Sequence, residues 1–182
     1  MIKFAESNNT NYPATTIFNC KNSDLTIAFA VDFNTRGQLL TKRLAGDKYV
    51  AISLINFNLD DDRINQICNK IESIICFSNK KDIIINIAGN GTYTPEMPNQ
   101  QLLDEFIHEI LKRIFNNLFG YKIVLIRSGG QSGVDESGAK AGYKLSIEVE
   151  VLAPKDWRFK NSENKTIYGM DKFLERFKEY RD

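Results

Sequence analysis

Residues 82–88, Asp-Ile-Ile-Ile-Asn-Ile-Ala, form a near-continuous β-branched run. A strand with one wet face alternates apolar and polar residues, so a run like this one needs cover on both faces, the condition of a strand inside a parallel sheet. Residues 25–31 (LTIAFAV, ending at Asp32) and 122–127 (KIVLIR) have the same character. Residues 49–54 and 148–152, the latter stopped by Pro154, complete the expected strands. Between them the apolar period lengthens. Ile64, Ile67, Cys68, Ile71, Ile74 and Ile75 recur at helical spacing over 61–77. Leu102, Leu103, Phe106, Ile107, Ile110, Leu111, Ile114, Phe115 and Leu118 mark a long helix over 99–119, ended by Gly120. Further helices are expected over 35–45, closed by Gly46, from the glycine turn to about residue 145, and over 168–180, with Tyr168, Phe173, Leu174 and Phe177 on the apolar side. Residues 1–24 are rich in Asn and Thr and give no assignment beyond a short strand at the start.

From residue 82 onward the order is β-α-β-α-β-α with short connections, and right-handed crossovers turn that order into a parallel sheet covered by helices on both faces. The expected fold class is therefore α/β: a Rossmann-like, doubly wound, mostly parallel sheet. No linker-like stretch separates residues 1–80 from 82–182. We expect one domain over 1–182, in which a β-α-β-α extension continues the sheet of the 82–182 core.

Apolar residues at 42% and aromatics at 11% suffice for a core without disulfide or metal staples. Cys20, Cys68 and Cys76 form no CxxC and the chain has one histidine, so no metal set is read, and Cys68 and Cys76 count as small core hydrophobes. With 24 basic against 23 acidic side chains, net charge +1, the chain lacks the field that tracks nucleic acid phosphates. The start carries no leader-like apolar region, and no apolar run approaches the roughly 20 residues that span a bilayer. A cytoplasmic protein without a membrane partner is expected.

In open parallel sheets ligands bind in the crevice beyond the carboxyl ends of the strands. Loops 89–94, 128–133 and 153–158 should open there, with 32–36 joining them if the N-terminal strand is parallel. The central loop, Ser128-Gly129-Gly130-Gln131-Ser132-Gly133, combines glycines that allow close backbone approach with the N-terminus of a following helix, a natural seat for phosphate or carboxylate. Gly138, Ala139, Ala141 and Gly142 give that helix a small face that lets it lie close to the sheet. Asp135 has two readings. It closes the helix end in a capping box with Ser132, or it or Glu136 faces the pocket, taking a sugar hydroxyl or acting as a general base. A carboxylate repels phosphate, which favours a sugar contact over a phosphate one.

Flanking loops offer complementary groups. Lys155 and Arg158 could pair with phosphate while Trp157 stacks on a base or sugar, or Trp157 caps the core. Gly89-Asn90-Gly91 is a second glycine turn at a strand end, suited to backbone contacts or simply joining strand to helix. Arg127 sits at the mouth of the crevice, and Arg36 begins a helix. His108 lies off its helix's apolar stripe, and the loops hold no Ser–His or Cys–His pair, which disfavours triad hydrolysis.

The run from Arg127 through Ser-Gly-Gly-Gln-Ser-Gly-Val to Asp135 and on to Gly142, followed by Val151-Leu-Ala-Pro-Lys155 and Trp157, resembles the SLOG superfamily, in particular its molybdenum-carrier-like branch. That branch has a strand, a GGQTG-x-D turn, a helix of small residues, and a strand ending in Pro-Lys and an aromatic. The likeness covers about residues 122–160, with Ser132 where the family has Thr. It implies a Rossmann-like fold that binds nucleotides or relatives of ADP-ribose, with Gly129, Gly130, Gly133 and Asp135 as ligand-loop residues and Lys155 as a contact; families of this fold often form homodimers. The related Lonely Guy enzymes cleave nucleoside monophosphates through a PGGxGTxxE motif, from which this chain departs: Ser128 replaces the Pro and the Glu has no counterpart. No molybdenum ligand set is present, and the residues name no cofactor. The leading expectation is a binding module or sensor for a nucleotide-like anion. The second is an N-glycosidic hydrolase with Asp135 or Glu136 as acid/base and Arg127 or Lys155 on phosphate. The third, single-stranded DNA binding as in the DNA-processing protein A relatives, conflicts with the near-neutral charge.

Overall fold

The computed structural model describes residues 1–8, 12–55 and 60–180. The chain runs β1 (Ile2–Glu6), α1 (Tyr12–Lys21), β2 (Leu25–Ala30), α2 (Arg36–Ala45), β3 (Tyr49–Ser53), α3 (Asp61–Ile75), β4 (Asp82–Gly89), α4 (Gln100–Asn117), β5 (Lys122–Ser128), α5 (Val134–Lys144), β6 (Glu148–Ala153), β7 (Phe159–Lys160), β8 (Thr166–Ile167) and α6 (Met170–Glu175). The six longer strands form one sheet in the order β1-β6-β5-β4-β2-β3, every neighbouring pair parallel. Packing groups α1 with α2, and α3 with α4 and α4 with α5. These sets lie on opposite faces, as right-handed crossovers running in opposite directions along the sheet require. The fold is a doubly wound, Rossmann-like α/β sheet, and its N-terminal strands belong to the same sheet as the rest.

Two features of this topology position the site. The outgoing connections of the neighbours β2 and β4 leave toward opposite faces, which opens a crevice beyond their carboxyl ends. The connection from β1, at one edge, must pass β6, β5 and β4 to reach β2, so it carries α1 across the sheet and against α2. β2 is buried along its whole length, and Ile83, Ile85 and Ile87 of β4 are fully enclosed. That burial accounts for the unbroken apolar runs in these strands.

Two local expectations need correction, and one element is new. Cys76 is exposed in a 3₁₀ turn beyond the end of α3. The last helix is short: α6 is followed by a 3₁₀ turn at Lys178–Tyr180, and Tyr168 lies before it, 54% exposed, while Phe173, Leu174 and Phe177 are buried as expected. The antiparallel pair β7–β8 was not read from the sequence. Its turn is held by Asn161, whose Oδ1 accepts the N–H groups of Glu163 (3.1 Å) and Lys165 (2.9 Å).

The small face of α5 does bring it close to the sheet. A Cβ on Gly138 would stand 2.4 Å from Ile87 Cγ2, and one on Gly142 2.6 Å from Val149 Cγ2. Gly138→Val therefore overpacks this contact and should cost roughly 1–3 kcal/mol, lowering Tm by about 2–12 °C for a domain of this size. Thermal unfolding at one pH checks it; a variant melting with the wild type would mean that the helix can stand further off.

Candidate functional site

The glycine loop closes on itself. Ser128 Oγ donates to the Asp135 carbonyl (2.6 Å) and accepts from Gly130 N–H (3.1 Å). Gly130 has φ 66°, and a Cβ there would stand 2.6 Å from both Phe173 Cζ and Val151 Cγ1, so both conformation and space demand glycine. The capping box is not formed. The N-cap of α5 is Gly133, at φ 100° and without a side-chain cap, and its N–H donates to Gln100 Oε1 (2.6 Å). Ser132 Oγ donates to the Lys160 carbonyl, since β7 lies alongside the loop. Gln131 completes that latch: its Nε2 donates to the Arg158 carbonyl (3.0 Å), and its Oε1 accepts Lys160 N–H (3.3 Å).

Asp135, in the first turn of α5, folds its carboxylate back under the loop, where it accepts the N–H groups of Gln131, Gly89 and Gly129. A helix N-terminus favours negative charge, and here a tethered carboxylate supplies it. The loop thus does not present the row of free donors expected for an outside anion: the N–H groups of Gly129, Gly130, Gln131 and Gly133 all have partners within the chain. Desolvation dominates the carboxyl's titration and pushes it up to about 7, against the three N–H groups and the more distant Arg176 guanidinium, which all pull it down.

Asp135 forms part of the wall of a cavity of about 140 Å³ at the carboxyl ends of β4 and β5. Gly89, Gly91, Gly129 and Gln131 line it from the loops and strand ends. The remaining wall comes from residues that sequence reasoning missed: Thr15, Thr16 and Asn19 on α1, Gly37, Gln38 and Thr41 on α2, Asn86, Ile87 and Ala88 on β4, and Tyr93. Among the described residues no Lys, Arg or His lines the cavity. Asn86 was the one visible signal, a polar residue inside an otherwise apolar strand.

Other expected contacts lie elsewhere. Asn90 is a clamp between loops: its Oδ1 accepts Val31 and Asp32 N–H (3.0 Å each), and its Nδ2 donates to the Asp32 carbonyl (3.1 Å). It thereby ties the β2 and β4 loops together beside the crevice. Arg127 is ion-paired to Glu150 (2.5 Å) and donates to the Asn22 carbonyl (3.2 Å). Lys155 is exposed, and Trp157 packs edge-on against Phe173 with ring centres 5.4 Å apart, capping the core. None of these four lines the cavity, nor do Ser128, Gly130, Ser132, Gly133 and Arg158. His108 is half-buried away from it.

Glu136 also stands apart. It is 3% exposed, with Oε1 2.6 Å from Lys140 Nζ and Oε2 2.7 Å from Arg176. Lys140 in turn meets Asp104 (2.7 Å), and Arg176 donates to the Gly130 carbonyl (2.8 Å), so this network locks the loop to α4 and α6. Both oxygens of Glu136 are committed to cations, and among the described residues Asp135 is the one carboxyl that lines the cavity. Among the described residues no cluster of three or more His, Cys, Asp or Glu could hold a metal ion, and no helix is long and apolar enough to cross a membrane.

Folding raises Asp135 from 3.8 to about 7. The native state then holds an extra proton between those values, so the cost of the buried charge is absent below pH 3.8 and fully present above pH 7. Stability should fall as pH rises from about 4 to about 7, and Asp135→Asn should remove that part of the slope. Melting temperatures of both proteins across this range test it; parallel curves would mean that the carboxyl titrates normally.

With the geometry established, comparison with known proteins adds no relative: no protein-family model, no curated protein and no solved structure matches this chain.

Proposed function

We propose that the chain is a cytoplasmic binding module or sensor for a nucleotide-derived ligand whose sugar enters the cavity and places a hydroxyl on Asp135. The observation that carries this reading is the single carboxyl, raised to about 7, in an otherwise uncharged polar cavity at the carboxyl ends of parallel strands. Near neutral pH such a group both donates and accepts, as a sugar hydroxyl does. Ligand pockets for drug-sized molecules hold about 300–1,000 Å³, so a cavity of 140 Å³ suits one sugar-sized moiety. The ligand's anionic end stays outside, since Asp135 occupies the loop's donors and would repel phosphate. Arg36 precedes the cavity-lining Gly37, and Lys160 Nζ lies 5.0 Å from the ring centre of the cavity-lining Tyr93, which makes these two cations the candidates for that anionic end. The sequence resemblance to the SLOG superfamily supports the same ligand class.

Asp135 also favours a second reading, hydrolysis of an N-glycosidic bond. A carboxyl that is partly protonated near neutral pH suits general acid–base work.

Thermal unfolding against AMP, ADP, ATP, NAD, ADP-ribose, cyclic nucleotides, GMP, molybdate and phosphate tests the proposal. A ligand at about 100 times its Kd stabilises by about 2.7 kcal/mol, a rise of roughly 5–10 °C here. A shift with one nucleotide class that Asp135→Asn weakens is the expected result; no shift with any nucleotide sinks the reading. Product analysis of the shifting mixture separates sensor from hydrolase.

A further inference from the structure

A buried polar side chain normally finds a hydrogen-bond partner, because burial without one forfeits what water supplied. Three amides that line the cavity each keep a side-chain atom that no protein group pairs and that stays open to the cavity instead of being sealed away. Asn19, 3% exposed, makes no side-chain hydrogen bond among the described residues. Asn86, 2% exposed, gives its Nδ2 to Thr26 Oγ1 (3.3 Å) and Cys20 Sγ (3.6 Å) but leaves Oδ1 without a donor. Gln38, also 2% exposed, accepts from the Tyr49 hydroxyl at 3.4 Å and leaves Nε2 without an acceptor. They come from α1, β4 and α2, and all line the cavity to which Asp135 belongs.

The chemistry of this wall selects its occupant. A phosphate or carboxylate would find no cation and would face Asp135. A nucleobase needs a flat aromatic or apolar slot; the apolar lining is confined to Ile87 and Ala88 of β4, and the one aromatic ring, Tyr93, is already packed against Gly91 and beside the Lys160 ammonium. Sugar hydroxyls each donate and accept, which matches amides with one spare donor here and one spare acceptor there.

We propose that Asn19, Gln38 and Asn86 are specificity residues that read the hydroxyls of a pentose, so that the site takes ribosides and rejects their 2′-deoxy counterparts. This rests on the sugar-in-cavity reading above. Because these amides read the sugar and not the phosphate, the 2′-deoxy penalty should be about the same for a nucleoside and for its monophosphate.

Calorimetric titration of the intact chain with adenosine, guanosine, cytidine and uridine, their 2′-deoxy forms and AMP tests the assignment. At least one riboside should bind, with its 2′-deoxy form weaker by about tenfold or more. Asn19→Leu, close in size, should weaken the riboside by about tenfold or more with little change in Tm, since the amide it removes faces the cavity and not a protein partner. Gln38→Met gives the same readout if the first variant fails to fold. Equal binding of riboside and deoxyriboside, or of wild type and both variants, overturns the wall assignment and leaves the proposed function standing. No binding of any nucleoside or of AMP overturns the wall assignment, and joined with no shift by any nucleotide of the unfolding panel it overturns both.

Discussion

The Asp135 carboxylate, drawn under the glycine loop by N–H groups of Gln131, Gly89 and Gly129, organises the functional end of this sheet. Gly89 ends β4, while Gly129 and Gln131 follow β5, so one side chain from α5 joins two neighbouring strand ends. Close approach is part of the device: a Cβ on Gly129 would stand 2.6 Å from Asp135 Oδ2. A glycine turn leading into a helix usually offers its donors to a bound anion. Here the chain brings its own anion, and what remains for a ligand is the uncharged space beside it.

That space exists because of the first crossover. Had β1 paired beside β2, the intervening helix would have covered only that edge. With β1 at the far edge, α1 is carried over the middle of the sheet, and its buried Thr15 and Asn19 meet Gln38 and Thr41 of α2 above Asn86. Asn90 fixes the spacing from below, holding the β2 and β4 loops in register through four atoms of backbone and side chain. The cavity is therefore assembled jointly by the N-terminal elements and the glycine loop.

This division explains what was legible in the sequence. The β-branched runs at 25–31, 82–88 and 122–127 announced a parallel sheet because burial on both faces leaves no polar alternation to obscure them. Gly129 and Asp135 stood out because a glycine after a strand allows close backbone approach and an acid in the first helical turn meets unpaired N–H groups. The other wall was hidden by an inversion in α1, which buries Thr15 and Asn19 while Ile17 and Phe18 are 36% and 42% exposed. A periodicity search looks for apolar residues on the inward face, and here the inward face is polar because it lines a cavity. The β7–β8 pair escaped for a different reason: two-residue strands carry too little pattern, and the partners that hold them, Gln131 and Ser132, are distant in sequence.

Asp135 and Glu136 show how position within a helix turn separates the roles of two adjacent acids. Successive residues of a helix point about 100° apart, so one carboxylate faces the sheet end and the other faces α4 and α6. Glu136 meets Lys140 and Arg176 and serves as the centre of a charge network. Asp135 has backbone donors but no cation in contact, so desolvation prevails and its proton becomes available near neutral pH. The two depend on each other, because Arg176 binds both Glu136 and the Gly130 carbonyl. The ion pairs of Glu136 thus hold still the loop whose N–H groups hold Asp135. One acid stabilises the scaffold, which leaves the other free to titrate in the cavity.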